Sequence, residues 1–189
     1  LDFEDNYLFL KETLKVEKDF QLINLEDINV MAPILKPTSF RDAYAFRQHV
    51  EAGRKNRGLE MIPEYDKFPV FYFSNHQSII GPGEVVVKNK HMDKLDFEFE
   101  VAVLISKCGI NIKSKDAHEY IAGLMILNDW SARGMQLEEM KLNLGPAKGK
   151  DFATSIGPYL VTLDELEDTI NYNDNNYSDG VTIFSSFFN

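Results

Sequence analysis

Lys94-Leu95-Asp96-Phe97-Glu98-Phe99-Glu100-Val101-Ala102-Val103-Leu104-Ile105 is the stretch on which the reading of this chain turns. Its alternation of apolar and acidic residues is that of a β-strand, whose side chains project to opposite faces with period two. One face carries Leu95, Phe97, Phe99, Val101 and Val103; the other carries Asp96, Glu98 and Glu100, then the apolar Ala102 and Leu104. Such a strand is expected to be half-buried on both sides. Carboxylates two residues apart on one face repel each other unless solvent or a positive charge separates them. A lysine or a divalent cation that takes hard oxygen ligands meets that need, and a solvated strand face is the plain alternative.

Two further acids extend the pattern. Leu124-Met-Ile-Leu127-Asn128 reads as a buried strand ending at Asp129, with a helix expected from Ser131 to Leu142. An acid at the carboxyl end of a buried strand is a frequent place for ligands and catalytic groups, and it equally suits an N-cap. Upstream, Thr38-Ser39 opens a helix expected over residues 39–57. Asp42 and His49 stand seven residues apart in it, two turns, and so share a face. Ser39-Phe-Arg-Asp42 also has capping-box spacing, and a lone helical histidine is more often packed or solvated than a base. Together Asp42, Glu98, Glu100 and Asp129 form an all-oxygen set that suits Mg²⁺, Ca²⁺ or Mn²⁺ rather than zinc. Spacing does not by itself bring the four together.

The rest of the chain sets bounds. Its 189 residues, 44% hydrophobic and 26% charged, suit one domain with a sizeable core. A net charge of −10 argues against a nucleic-acid surface. Cys108 is alone, which excludes an internal disulfide and fits a reducing compartment. No apolar run reaches the roughly 18 residues of a membrane span, and Leu1-Asp2-Phe3-Glu4-Asp5 lacks the basic start of a signal peptide. Leu1 in place of an initiator Met points to a chain that begins inside a longer one. Residues 1–30 read as an N-terminal extension of helix and loop. Strands are expected at Val70–Phe73, Val85–Val87 and Pro158–Leu163, and a helix from Ser114 to Ala122. The Gly145–Lys150 loop is too short for a P-loop, but its two lysines suit an anionic substrate as well as a basic surface. His118 lacks the second histidine of a zinc protease motif, and there is no G-x-S-x-G elbow. The polar stretch 171–180 imitates a calcium loop starting at Asp174. It fails the pattern, with Asp179 in the glycine position and Ser185 in the glutamate position.

Four ordered pieces resemble the fumarylacetoacetate hydrolase family. They are Ser39-Phe-Arg-Asp-Ala-Tyr-Ala-Phe-Arg-Gln-His49, Leu95-Asp-Phe-Glu-Phe-Glu100, Leu127-Asn-Asp-Trp-Ser-Ala-Arg133 and Gly145-Pro-Ala-Lys-Gly-Lys-Asp-Phe-Ala-Thr-Ser-Ile-Gly-Pro158, and the resemblance spans about residues 31–165. It implies an α+β, mostly β fold, the family's mixed β-roll with flanking helices, in a catalytic domain over 31–189. It implies Mg²⁺ or Ca²⁺, with Mn²⁺ as a substitute, on Asp42, Glu98, Glu100 and Asp129. His49 is then the general base, Lys150 a catalytic cation, and Thr154 a neighbour of the metal. Tyr72, Arg133 and Gln136 match substrate-contacting positions. A cytoplasmic homodimer acting on a small diketo acid, with no nucleic-acid or membrane partner, completes the expectation.

The chemistry implied is hydrolysis of a C–C bond in a 2,4-diketo acid. His49 takes a proton from water, the hydroxide attacks a polarised carbonyl, and the leaving enolate is stabilised by Lys150 or Arg133. Relatives that cleave acylpyruvates, decarboxylate oxaloacetate or hydrate 2-oxo-alkenoates share the metal platform, so the ligand set does not choose among them. Two departures stand against the family pattern. No C-terminal glutamate to orient His49 and no Gly-rich closing strands are found after about residue 166, where the family's C-terminal part is missing or divergent. Ala52 also occupies the place where short relatives carry the orienting glutamate, and Glu51 points elsewhere on a helix. An inactive truncated member or an interaction module is therefore the competing expectation.

Overall fold

The acidic stretch is two strands rather than one. A computed structural model describes residues 3–16, 21–44, 46–67 and 69–167. In chain order the elements are α1 (Phe3–Val16), β1 (Arg41–Ala43), α2 (Arg47–Asn56), β2 (Phe71–Phe73), β3 (Ile79–Ile80), β4 (Leu95–Asp96) and β5 (Phe99–Ile105). There follow β6 (Ile121–Asp129), β7 (Ser131–Ala132), α3 (Arg133–Met140), α4 (Ala147–Lys150), β8 (Thr154–Ile156) and β9 (Val161–Thr162). The break between β4 and β5 falls at Phe97 and Glu98, where side chains replace the ladder. Asp96 Oδ1 accepts from the Phe97 N–H at 2.9 Å, and Asn128 Oδ1 accepts from the Glu98 N–H at 3.2 Å. Glu98 and Glu100 are half-buried there, while Phe97 and Phe99 are 64% and 73% exposed. The even burial expected of the two faces is thus corrected: at this end of the stretch the acids face inward.

The fold is α+β, with sheet at its centre. The main sheet has the order β3-β8-β6-β5, and β9 pairs the opposite end of β6. β6 runs antiparallel to β5, β8 and β9, whereas β3 and β8 are parallel. Two small antiparallel sheets, β1-β2 and β4-β7, flank it. β6 holds the centre because its near-continuous apolar run Ile121-Ala-Gly-Leu-Met-Ile-Leu127 tolerates neighbours on both edges and both faces. Met125 and Leu127 are buried with Ala32 and Ile156, and Ile34, Phe40, Ile79, Ala102, Leu104 and Leu160 pack around them. Gly81 admits Met31 and Ala32 against its backbone, where a Cβ would collide with the Ala32 amide.

Several local expectations are overturned by tertiary pairing. The helix expected over 39–57 starts only at Arg47, because Arg41, Asp42 and Ala43 pair with Phe73, Tyr72 and Phe71. Asp42 is therefore neither a cap nor on the helical face of His49. The helix expected from Ser131 begins at Arg133, since Ser131 and Ala132 pair with Asp96 and Leu95. Residues 114–120 form a 3₁₀ segment rather than an α-helix, and Ile121 already belongs to β6. The strand expected at Val85–Val87 does not form: these residues lie outside the strands of the described residues, and Val86 is 92% exposed. The loop expected over 145–150 ends in the one-turn α4, and β8 was not anticipated. The rejected calcium-loop stretch 171–180 and the apolar tip after it lie outside the described residues. α1 is tied to the segment that follows β9 by Tyr7 and Lys11, which bond the Asp164 carboxylate at 2.8 and 2.7 Å. Among the described residues no helix is long and apolar enough to cross a membrane.

Candidate active site

Period two puts an acid in the core. Along β6 the buried stripe runs Gly123, Met125, Leu127 and then Asp129, so the carboxylate inherits the core position that a fourth apolar residue would occupy. Asp129 is 1% exposed, and its register partner on β8, Thr154, is 0% exposed. Asp129 Oδ1 and Thr154 Oγ1 are both buried without a hydrogen-bond partner. Leaving such an oxygen unsatisfied costs about 1–3 kcal/mol, and more for a charged group. Glu98, at the break after β4, and Glu100, on β5, come from the neighbouring edge; Asp42 comes from β1. One oxygen of each of these four carboxylates lies within 4.8 Å of every other. Oxygens that share one cation at about 2.4 Å can be at most about 4.8 Å apart, so the set fits a hard divalent ion.

Two cations border the acids. Lys150, 3% exposed at the end of α4, donates from Nζ to Asp129 Oδ2 at 2.7 Å and also to Glu98 Oε2. Arg133, at the start of α3, donates to Glu98 Oε1 at 2.7 Å, to Asp96 Oδ2 at 3.0 Å and to Gln136 Oε1 at 3.1 Å. Tyr72 bridges the two sides: its hydroxyl donates to Asp42 Oδ2 at 2.8 Å and lies 3.2 Å from Asp129 Oδ2. Sequence reasoning placed Tyr72 as a substrate contact; the structure sets it against two of the acids.

The protonation balance shows where positive charge is short. Burial lowers the Lys150 ammonium, but Asp129 and Glu98 outweigh it and hold the group above its ordinary value, firmly protonated. Burial likewise opposes ionisation of Glu98, but Lys150 and Arg133 prevail and keep it below the usual carboxylate range. Asp129 is raised, by burial first and despite Lys150. Glu100 is pushed up to about 8, by burial and then by the charges of Asp42, Asp129 and Glu98. Burial and the same carboxylates push the Tyr72 hydroxyl far upward, so it remains a donor. One added cation would let Glu100 ionise and would give Asp129 Oδ1 a partner.

The other sequence-predicted residues are placed as follows. Gln136 packs its Cβ and backbone beneath Gly149 and accepts from Arg133. His49 lies outside the acidic set, exposed on α2. Glu51 pairs with Arg47 at 3.2 Å, so it is engaged away from His49. Of the two lysines in 145–150, Lys150 is in the site and Lys148 is exposed. Sequence reasoning set Asp96 on the acidic face without a role in the site, and gave none to Asn128 or Glu139. Asp96 shows itself only by its alternation with Glu98, and Glu139 by no local signal, because its partners lie beyond a turn of the chain.

The family described as fumarylacetoacetate (FAA) hydrolase C-terminal matches residues 38–183. A fumarylacetoacetase of Oryza sativa subsp. japonica is 37% identical over 166 residues, covering 77% of this chain and 38% of that protein. Similar solved structures include a 5-carboxymethyl-2-hydroxymuconate delta-isomerase from Mycobacterium smegmatis, 28% identical with a TM-score of 0.53 over 73% of this chain and 49% of that one. A fumarylacetoacetate hydrolase from Exiguobacterium antarcticum is 26% identical with a TM-score of 0.52, over 75% of this chain and 47% of that one. The chain thus spans under two-fifths of the length of the rice relative and about half that of the solved structures. The match encloses every residue singled out above, and the chain belongs to the fumarylacetoacetate hydrolase family.

Proposed function

We propose that this chain carries the metal-binding core of an enzyme that hydrolyses a C–C bond in a 2,4-diketo acid. The observation that carries the reading is the cluster of Asp42, Glu98, Glu100 and Asp129 with its orphaned Asp129 oxygen. The named fumarylacetoacetase relative supports the reaction class. Mg²⁺ or Ca²⁺ held by these four, beside Thr154, would supply Lewis acidity toward a carbonyl oxygen. The chain's own residues supply the rest. Lys150, whose ammonium Asp129 and Glu98 favour, serves as a positive charge and not as a base. Arg133, braced by Gln136, adds a second charge for the substrate's anionic oxygens. Tyr72 offers a hydroxyl proton. His49 takes the proton from the attacking water. The attacked carbonyl carbon leaves as a carboxylate, and the electron pair of the broken C–C bond goes to an enolate that is then protonated to a ketone. A cytoplasmic homodimer belongs to the same reading; sedimentation of the purified protein tests the dimer.

The test is a calorimetric titration of metal-stripped protein with Mn²⁺, followed by turnover with a panel of diketo acids. One saturable site per chain, lost with all turnover in Asp129→Ala, is expected; turnover retained in that variant overturns the proposal. A second reaction belongs in the panel, because an isomerase and a hydrolase match the fold with almost equal TM-scores of 0.53 and 0.52. Double-bond migration without cleavage would reassign the reaction and leave the metal site intact.

A further inference from the structure

Lys150 reaches Asp129 and Glu98 from the last position of α4, a helix of four residues. A single turn has almost no stability of its own, because nucleation is the costly step of helix formation. Pro146 precedes it and offers no capping side chain, so its first N–H groups need acceptors from elsewhere. Two of them are met by one residue. Glu139, in the last turn of α3, accepts from the Lys148 N–H through Oε1 and from the Gly149 N–H through Oε2, each at 2.8 Å. The two helices touch directly, since a Cβ on Gly149 would lie 2.9 Å from both the Gln136 amide nitrogen and its Cβ. The far end of α4 is held by the Asp151 carbonyl, which accepts from Asn75 Nδ2 at 2.9 Å and Ser78 Oγ at 2.8 Å.

We propose that Glu139 is a positioning residue for Lys150. Its carboxylate clamps α4 onto α3 and so holds the ammonium between Asp129 and Glu98. α3 then sets both cations of the site, Arg133 through its own side chain and Lys150 through this clamp. A buried ammonium is tolerated only while its carboxylate partners stay in reach. The negative charge of Glu139 also suits the amino end of α4. Glu139→Gln is nearly isosteric but presents an NH₂ group to one of the two N–H donors, which removes one bond and adds a repulsion.

The test is acetylation of lysines by an N-hydroxysuccinimide ester, mapped by mass spectrometry on the intact, folded protein. Lys150 should label slowly in the parent protein, shielded by burial and by its ion pairs. In Glu139→Gln its labelling should rise about tenfold as α4 opens locally, with exposed Lys94 and Lys113 unchanged. Unchanged labelling of Lys150 overturns the proposal. So does an equal rise at all three lysines, the mark of general loosening. If Glu139→Gln does not fold, Glu139→Asp, which keeps the charge but falls short of the donors, is read in the same way. An activity arm rests on the hydrolase reading: in a Lys150→Met background, Glu139→Gln should cause no further loss of turnover. The labelling arm needs no substrate, so a protein inactive on every diketo acid would remove the hydrolase reading and leave this inference to stand or fall by itself.

Discussion

The site has two unlike walls. On the wall built from β6 and β8 with the adjoining β7 and α4, Asp129, Ser131, Lys150 and Thr154 are each 3% exposed or less, and one acid and the ammonium sit in the core itself. On the β1-β2 wall Asp42 and Tyr72 are half-buried, Phe71 and Phe73 are 50% and 66% exposed, and His49 on the adjacent α2 faces solvent. The inner wall belongs to the five-stranded sheet; the outer one hangs on a ladder of three residue pairs. Tyr72 spans the two through its hydroxyl. The difference teaches that removing a charge from the inner wall strands its buried partner, whereas on the outer wall solvent screens what is left.

The largest expected effect breaks the inner wall. Asp129→Ala leaves Lys150 buried with one carboxylate and should cost about 3–5 kcal/mol in urea unfolding, along with the Mn²⁺ site. Asp42→Ala should also weaken Mn²⁺ binding, at a cost of only about 1 kcal/mol in stability. Equal costs for the two would erase the contrast. His49→Ala sharpens it from the other side: turnover should fall about 10²–10⁴-fold, while the unfolding midpoint and the Mn²⁺ affinity stay as in the parent.

A pH series separates the walls without mutation. Glu100 is raised from its ordinary 4.5 to about 8, so the folded, metal-free protein keeps a proton that the unfolded chain has released. Its contribution to stability is therefore complete below about pH 4.5 and is lost as pH rises to about 8. Allowing for its partial exposure, that loss should amount to about 1–2 kcal/mol. Saturating Mn²⁺ should flatten the slope, and Mn²⁺ affinity should rise with pH across the same window because binding expels the proton. A slope unchanged by Mn²⁺ would place the ion elsewhere. The smallest effect is that of Tyr72→Phe, which removes only the bridging hydroxyl and should cost about 1 kcal/mol by thermal unfolding.

Much of the inner wall was legible in the chain. The apolar run of β6 marks a central strand, and the acid at its end is where period two makes a core carboxylate. The alternation from Leu95 to Glu100 showed which acids share a face, though not that the stretch kinks at Glu98 or that its acidic face turns inward. The outer wall was misread. Residues 39–46 have the composition of a helix start, and only pairing with Phe71–Phe73, some thirty residues on, draws Asp42 into a strand. Glu139 was invisible for a related reason: its role lies in backbone N–H groups nine and ten residues away, at the start of a short helix whose preceding proline has no capping side chain.

By itself the sequence determined the kind of chemistry available. It supplied four carboxylates, a lysine, an arginine and a histidine, on four ordered motifs. Only the tertiary structure decided that the four oxygens meet within 4.8 Å, that Lys150 enters the core and that His49 stays outside it. Side-chain period is a local property, written into neighbouring residues. Convergence depends on strand register and on contacts between groups as far apart in the chain as Asp42 and Asp129, and those are settled by what the whole core can bury.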